Sequence, residues 1–195
     1  GAPVSWRLSD DSGKVLKEGS LPVCDIPLGN CISLGAIDEP LEACAAPSEL
    51  NLEVTVSGRS NDWNIWVYPA EIPTPSGEVL LTDNYSTAEA CLNRGGKVIL
   101  SYRKGTLPDE FGGDVKVGFS SIFWNTAWTY GQPPHTLGIL CNPAHGALSS
   151  FPTKSYSDYQ WQDAMSHAQA LRLDKYPLHL EPIVRIIDDW FTARP

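Results

Sequence analysis

Positive charge is scarce in this 195-residue chain: 14 Lys and Arg stand against 23 Asp and Glu, a net charge of -9. Gripping a nucleic-acid backbone needs clustered Lys and Arg, so no nucleic-acid partner is expected. An anionic membrane surface is disfavoured for the same reason. No apolar run approaches the roughly 20 residues of a membrane span, so no membrane partner is expected either. No signal peptide is visible. The chain begins on Gly1 rather than Met, so Gly1 is read as a non-native start, and export stays open.

Motifs for cofactors are missing too. No C-x-x-C occurs, which speaks against a zinc knuckle or a thioredoxin-like site. No G-x-G-x-x-G and no Walker sequence occurs, so dinucleotide and phosphate-loop binding have no support. His135, His145, His167 and His179 show no tight ligand spacing. No cofactor and no metal are expected. The five cysteines, Cys24, Cys31, Cys44, Cys91 and Cys141, are odd in number, so at least one thiol is free. Cys24 and Cys31 are close enough in sequence to close a short loop; the alternative is small buried apolar side chains.

What is present divides into two grammars. In the first 70 residues Val4, Trp6 and Leu8 alternate with Ser5, Arg7 and Ser9, a period of two. Asp10 to Gly13 reads as a turn into Lys14–Glu18, which predicts a hairpin. After a stretch broken by Pro and Gly, Leu50, Leu52, Val54 and Val56 alternate with polar residues. Trp63 to Tyr68 is apolar on both parities and reads as a strand buried on both sides. Short strands with no helical period predict a small β-sandwich over residues 1–70. Such a small sandwich is expected to lean on a neighbour. Residues 71–77, with two prolines and a glycine, read as a linker.

From residue 78 the pattern changes. Glu78 to Thr82 reads as a strand. Ser86-Thr-Ala-Glu89 fits a capping box that opens a helix from Thr87 to about Arg94, stopped by Gly95 and Gly96. Lys97 to Tyr102 is the next strand. Strand, helix and strand in so short a span predict a βαβ unit and a mainly parallel sheet over residues 78–195. Thr136–Cys141 and Ile183–Ile187 read as further strands. Tyr159 to Leu173 reads as a helix with a narrow apolar stripe through Trp161, Met165 and Ala168. The sheet stops abruptly near Pro195, so a C-terminal truncation is expected.

Between the strands lies the segment from Phe119 to His145, rich in aromatics and broken by proline. It is the expected site, because long loops inside a compact domain are usually functional or disordered and this one is too aromatic for disorder. A platform of Trp124, Trp128, Trp161, Tyr130, Tyr156 and Tyr159 would suit the apolar faces of sugars. The candidate ligand residues are Trp124, Trp128, Gln132, His135, Asn142 and His145. The plainer reading of the same rings is interface or core packing. Cys141 with His145 or His135 would be a nucleophile and base, but Pro143 spoils the tight turn a nucleophile elbow needs. Asp188 and Asp189 point to opposite faces of an extended chain and cannot face one substrate together. No catalytic residue is therefore assigned.

At Trp63-Asn-Ile-Trp-Val-Tyr-Pro69, Phe123-Trp-Asn-Thr-Ala-Trp128, Thr136 to His145, Phe151-Pro-Thr153, Tyr159-Gln-Trp161 and Ile183 to Asp189 the chain resembles a known region. It is similar to the C-terminal accessory part of bacterial glycoside hydrolase family 2 proteins, the β-galactosidase-like group. That resemblance implies an Ig-like sandwich followed by an α/β domain of flavodoxin-like type, similar to class I glutamine amidotransferases or ThuA. It implies a non-catalytic fragment of a polysaccharide- or oligosaccharide-degrading hydrolase, periplasmic or extracellular, whose partner is the catalytic (β/α)8 barrel of its parent chain, with oligosaccharide as a second partner. The family's catalytic glutamates sit on a barrel of roughly 250 residues, for which this chain has no room. A free-standing carbohydrate-binding module and a Cys141-dependent amidotransferase-like enzyme are the alternatives.

Overall fold

The computed structural model describes residues 1–72, 77–107, 109–112, 115, 117–118, 136–175 and 180–188. They fall into two compact units. One comprises Gly1–Glu71 with Gly146–Thr153; the other comprises Ile72–His145 with Lys154–Pro195.

The first unit is built from two hairpins. β1 (Ala2–Asp10) and β2 (Val15–Cys24) form one; β3 (Ser48–Val56) and β4 (Arg59–Val67) form the other. β1 pairs with β3, giving a four-stranded antiparallel sheet in the order β2-β1-β3-β4. The β1–β2 turn is shaped by Asp10, whose carboxylate accepts from the amides of Ser12 and Lys14, both at 3.0 Å, and from the Ser12 hydroxyl at 2.6 Å. The β3–β4 turn places Ser57 and Gly58 at φ +48° and +78°, the doubly left-handed geometry that matches strand twist in two-residue hairpins.

The period of two sorts β1 cleanly, but the strand expected to be buried on both sides is not: Trp63 is 50% and Tyr68 39% exposed, because β4 is an edge strand of the sheet. Val4, Trp6, Leu8 and Leu50 are buried on one face, Leu50 to 1% exposure. Leu21, Leu52, Val54, Ile65 and Val67 complete that apolar face, and Ile37, Leu41 and Cys44 pack against it. Those last three residues lie in the long connection between β2 and β3. The expected Ig-like sandwich is thus corrected: among the described residues this unit has one sheet, and a loop takes the place of a second. The reason lies in residues 25–47. Their prolines and glycines break any strand, yet they carry enough apolar side chains to close the face. Gly146–Thr153 belongs to this unit, and Phe151 stacks on Tyr68 with ring centroids 6.0 Å apart.

In the second unit β5 (Val79–Thr82) and β6 (Lys97–Leu100) are parallel, joined by α1 (Tyr85–Leu92). The helix begins one residue earlier than the capping-box reading placed its cap. Asn84, not Ser86, is the N-cap, and its side-chain oxygen accepts from the Thr87 amide at 2.9 Å. Gly95, at φ +77°, ends the turn that follows.

The mainly parallel α/β sheet is also corrected. β7 (Thr136–Cys141) and β8 (Val184–Asp188) pair antiparallel, in a separate two-stranded sheet. Parallel pairing is confined to β5 and β6 among the described residues. A short apolar run such as Ile183–Ile187 predicts a strand but not its direction. The expected helix from Tyr159 to Leu173 is shorter as well. A 3-10 turn, Tyr159–Trp161, leads into α2 (Gln162–His167), and the chain turns extended at Ala168. One buried side chain, Met165, anchors α2, too little apolar area to hold a longer helix against fraying.

Candidate functional site

Trp124, Trp128, Gln132 and His135, with Tyr130, lie outside the described residues. Asn142 and His145 lie in the turn that leaves β7, and the turn brings them together. The Asn142 carbonyl accepts from the His145 amide at 3.1 Å. The Asn142 side chain accepts from the Ala144 amide at 3.2 Å, so it shapes the turn around Pro143. Both side chains are exposed. Tyr156 and Tyr159 expose their rings, while Trp161 is half-buried.

Cys141 is buried, and its thiol donates to the Lys154 carbonyl at 2.9 Å. Its amide donates to the Ser155 carbonyl at 2.9 Å. The thiol is thus spent on backbone, the arrangement of a structural cysteine. All five cysteines are free thiols. Asp188 pairs with Thr136 across β7 and β8. Thr136 is fully buried, and its hydroxyl satisfies both the amide and the carbonyl of Gly118, at 2.9 and 3.1 Å. Among the described residues no group of three or more His, Cys, Asp or Glu side chains could hold a metal ion.

The described residues instead form a groove elsewhere, on the polar face of the four-stranded sheet. It encloses about 560 Å³ and is lined by Ser5, Arg7, Glu18, Ser20, Glu53 and Thr55, with Trp6 and Gly19 between them. Strand register builds it in rows. Ser5 stands between Ser20 and Thr55, and Arg7 between Glu18 and Glu53. Beyond β3 the rows continue as Ser60 beside Thr55 and Asp62 beside Glu53.

Several polar groups of these rows hold one another. The Arg7 guanidinium donates to Glu53 Oε1 at 2.8 Å. The Thr55 and Ser60 hydroxyls are 2.8 Å apart, and Asn51 Nδ2 donates to Asp62 at 2.7 Å. The Arg7 side chain is 50% exposed. A pair so wet is worth at most about 1 kcal/mol to stability. The row therefore shapes a surface more than it holds the fold.

Sequence reasoning used the odd positions of β1 and β3 only as the wet half of an alternation. Their one legible signal was composition: Ser5, Arg7, Asn51, Glu53 and Thr55 can all hydrogen-bond. That β2 sets Glu18 and Ser20 beside them depends on register, which a sequence does not print.

Two family models match the chain. The one described as Domain of unknown function (DUF8487) covers residues 80–195. The one described as Domain of unknown function (DUF8488) covers residues 1–69. No curated protein matches it. As the first model spans more than half of its length, the chain belongs to the DUF8487 family.

Proposed function

We propose that this chain is a non-catalytic accessory module of a glycoside hydrolase of the family 2, β-galactosidase-like kind, and that its sheet groove is where it contacts saccharide. The carrying observation is the groove itself: hydroxyls, a guanidinium and carboxylates set in rows by strand register. A sugar ring offers hydroxyls at comparable spacing, each able to donate and accept. Ordered polar groups lose little freedom on binding, and that keeps a shallow site useful. The resemblance of Trp63 to Pro69 to the strand that precedes the second domain in that family supports the same reading.

In this role the chain braces the catalytic (β/α)8 barrel of its parent and holds substrate near it. A free-standing carbohydrate-binding module would use the same groove without a barrel. The Cys141-dependent enzyme is disfavoured, because a thiol committed to the Lys154 carbonyl has no access to substrate.

Titration of the intact chain with galactotriose, followed by nitrogen–proton chemical-shift changes, tests the reading. Binding in the millimolar range is expected, with the shifts centred on Ser5, Ser20 and Thr55. Arg7→Ala should weaken it about tenfold, the loss of one charge-assisted hydrogen bond. Shifts confined to other surfaces, or an unchanged affinity in Arg7→Ala, would remove the groove from the proposal. Turnover of a nitrophenyl galactoside that an Asp188→Asn change abolishes would remove the non-catalytic role.

A further inference from the structure

The charges of the groove go further than its shape. Its lining carries one guanidinium, Arg7, and two carboxylates, Glu18 and Glu53. Asp62 adds a third carboxylate in the next position of the row. Arg7 spends its short contact on Glu53 Oε1. Glu18 stands on the other side of Arg7 in register, where its exposed carboxylate lines the groove. The groove is therefore rich in acceptors, with net negative charge on a chain already at -9.

Ionised carboxylates only accept hydrogen bonds. A ligand in this groove must arrive with donors. Neutral sugar rings do so through every hydroxyl. A uronate brings its own carboxylate against Glu18 and Glu53, and the one guanidinium it could reach, Arg7, already has part of its charge offset by Glu53 Oε1 at 2.8 Å.

We infer that the groove of Ser5, Arg7, Glu18, Ser20, Glu53 and Thr55 is selective for neutral saccharides and rejects uronic-acid ones. This rests on the groove being a saccharide site. The selectivity is a specificity element set against one ligand class, carried by like charge rather than by a tighter fit to the other. Because Glu18 is exposed and Glu53 partly so, ions in solution weaken the repulsion.

The experiment compares galactotriose with trigalacturonate on the intact chain, by titration calorimetry or chemical shift. It uses roughly 20 mM and roughly 300 mM sodium chloride, salt levels that bracket a screening length near 10 Å. Galactotriose should bind at least about fivefold tighter at the lower salt, and the gap should narrow at the higher. Glu18→Gln and Glu53→Gln, both on the wet face, should raise trigalacturonate affinity relative to galactotriose and so narrow the gap between them. Equal binding of the two trisaccharides at low salt, or a gap that Glu18→Gln leaves untouched, overturns the selectivity and leaves the saccharide reading standing. Binding of neither overturns both. A groove-filling Ser5→Tyr variant that still binds galactotriose places the site elsewhere and also overturns both. Circular dichroism of each variant shows that its sheet is intact.

Discussion

The four-stranded sheet and the β5–α1–β6 unit bury apolar residues by different rules. In the sheet, antiparallel strands put one parity in and the other out, and the apolar parity is closed over by the loop that carries Ile37 and Leu41. In the βαβ unit the strands are parallel, and such strands are normally covered on both faces. Here Ala88 of α1 is buried, while Leu81 and Ile99, which are register partners, remain 69% and 52% exposed. One rule yields a largely covered face, open at Trp63, and a wet face. The other yields a strip of apolar surface on a strand pair. Alternation in sequence is thus a better guide to burial than apolar content.

The sharpest way to break this contrast is Leu50→Ala. Leu50 is buried at the centre of the closed face, so the change should cost about 2–5 kcal/mol. Urea unfolding followed by tryptophan fluorescence measures it, and a cost near zero would mean that the face is not a core. Gly19→Ala should come next. A Cβ there would lie 2.8 Å from the buried Trp6 ring, which has little room to retreat. Overpacking of this kind costs about 1–3 kcal/mol. On the other side of the comparison, Leu81→Lys should change stability by less than about 0.5 kcal/mol, as exposed substitutions do. A loss above roughly 2 kcal/mol, the cost of a core change, would show that the strip is covered in solution.

Two smaller effects sharpen the same contrast between committed and open groups. Iodoacetamide at neutral pH should label the exposed Cys31 well before the buried Cys141, read by mass spectrometry of the native protein. Equal rates would mean that the β7 end opens readily. The last concerns Asp10, whose carboxyl is held below its ordinary 3.8, first by the Ser12 hydroxyl and then by the Lys14 and Ser12 amides. A depressed carboxyl stabilises the fold above its unfolded value, and that contribution fades as pH falls through the folded one. Melting temperature should therefore drop below pH 3.8 in the native chain and drop less in Asp10→Ala.

How much of this was legible depended on the range of the interactions involved. The β1–β2 turn and the β1 and β3 alternations are local, and residues such as Val4, Trp6 and Leu8 announced their face. The βαβ unit was legible because Gly95 and the strand runs bound it. Its cap was misplaced by two residues because Asn84 and Ser86 both suit the role and only backbone geometry separates them. The β7–β8 direction, the loop that replaces a second sheet and the Glu18–Arg7–Glu53 row all rest on pairing between distant residues. No periodicity encodes that pairing.

The return of Phe151 to Tyr68 sets an order of events during synthesis. Both family matches split the chain between residues 69 and 80, and a ribosome reaching that point has made all four strands of the first sheet. It has not yet made Gly146–Thr153, which belongs to the same unit. The aromatic stack on Tyr68 can form only after about eighty further residues have left the tunnel, at a closure cost that grows only slowly with loop length. The first unit therefore passes through two stages, an early hairpin sheet and a late stacking of Phe151 on Tyr68. A nascent chain halted before Gly146 should leave the Tyr68 ring more exposed than its 39% in the finished chain.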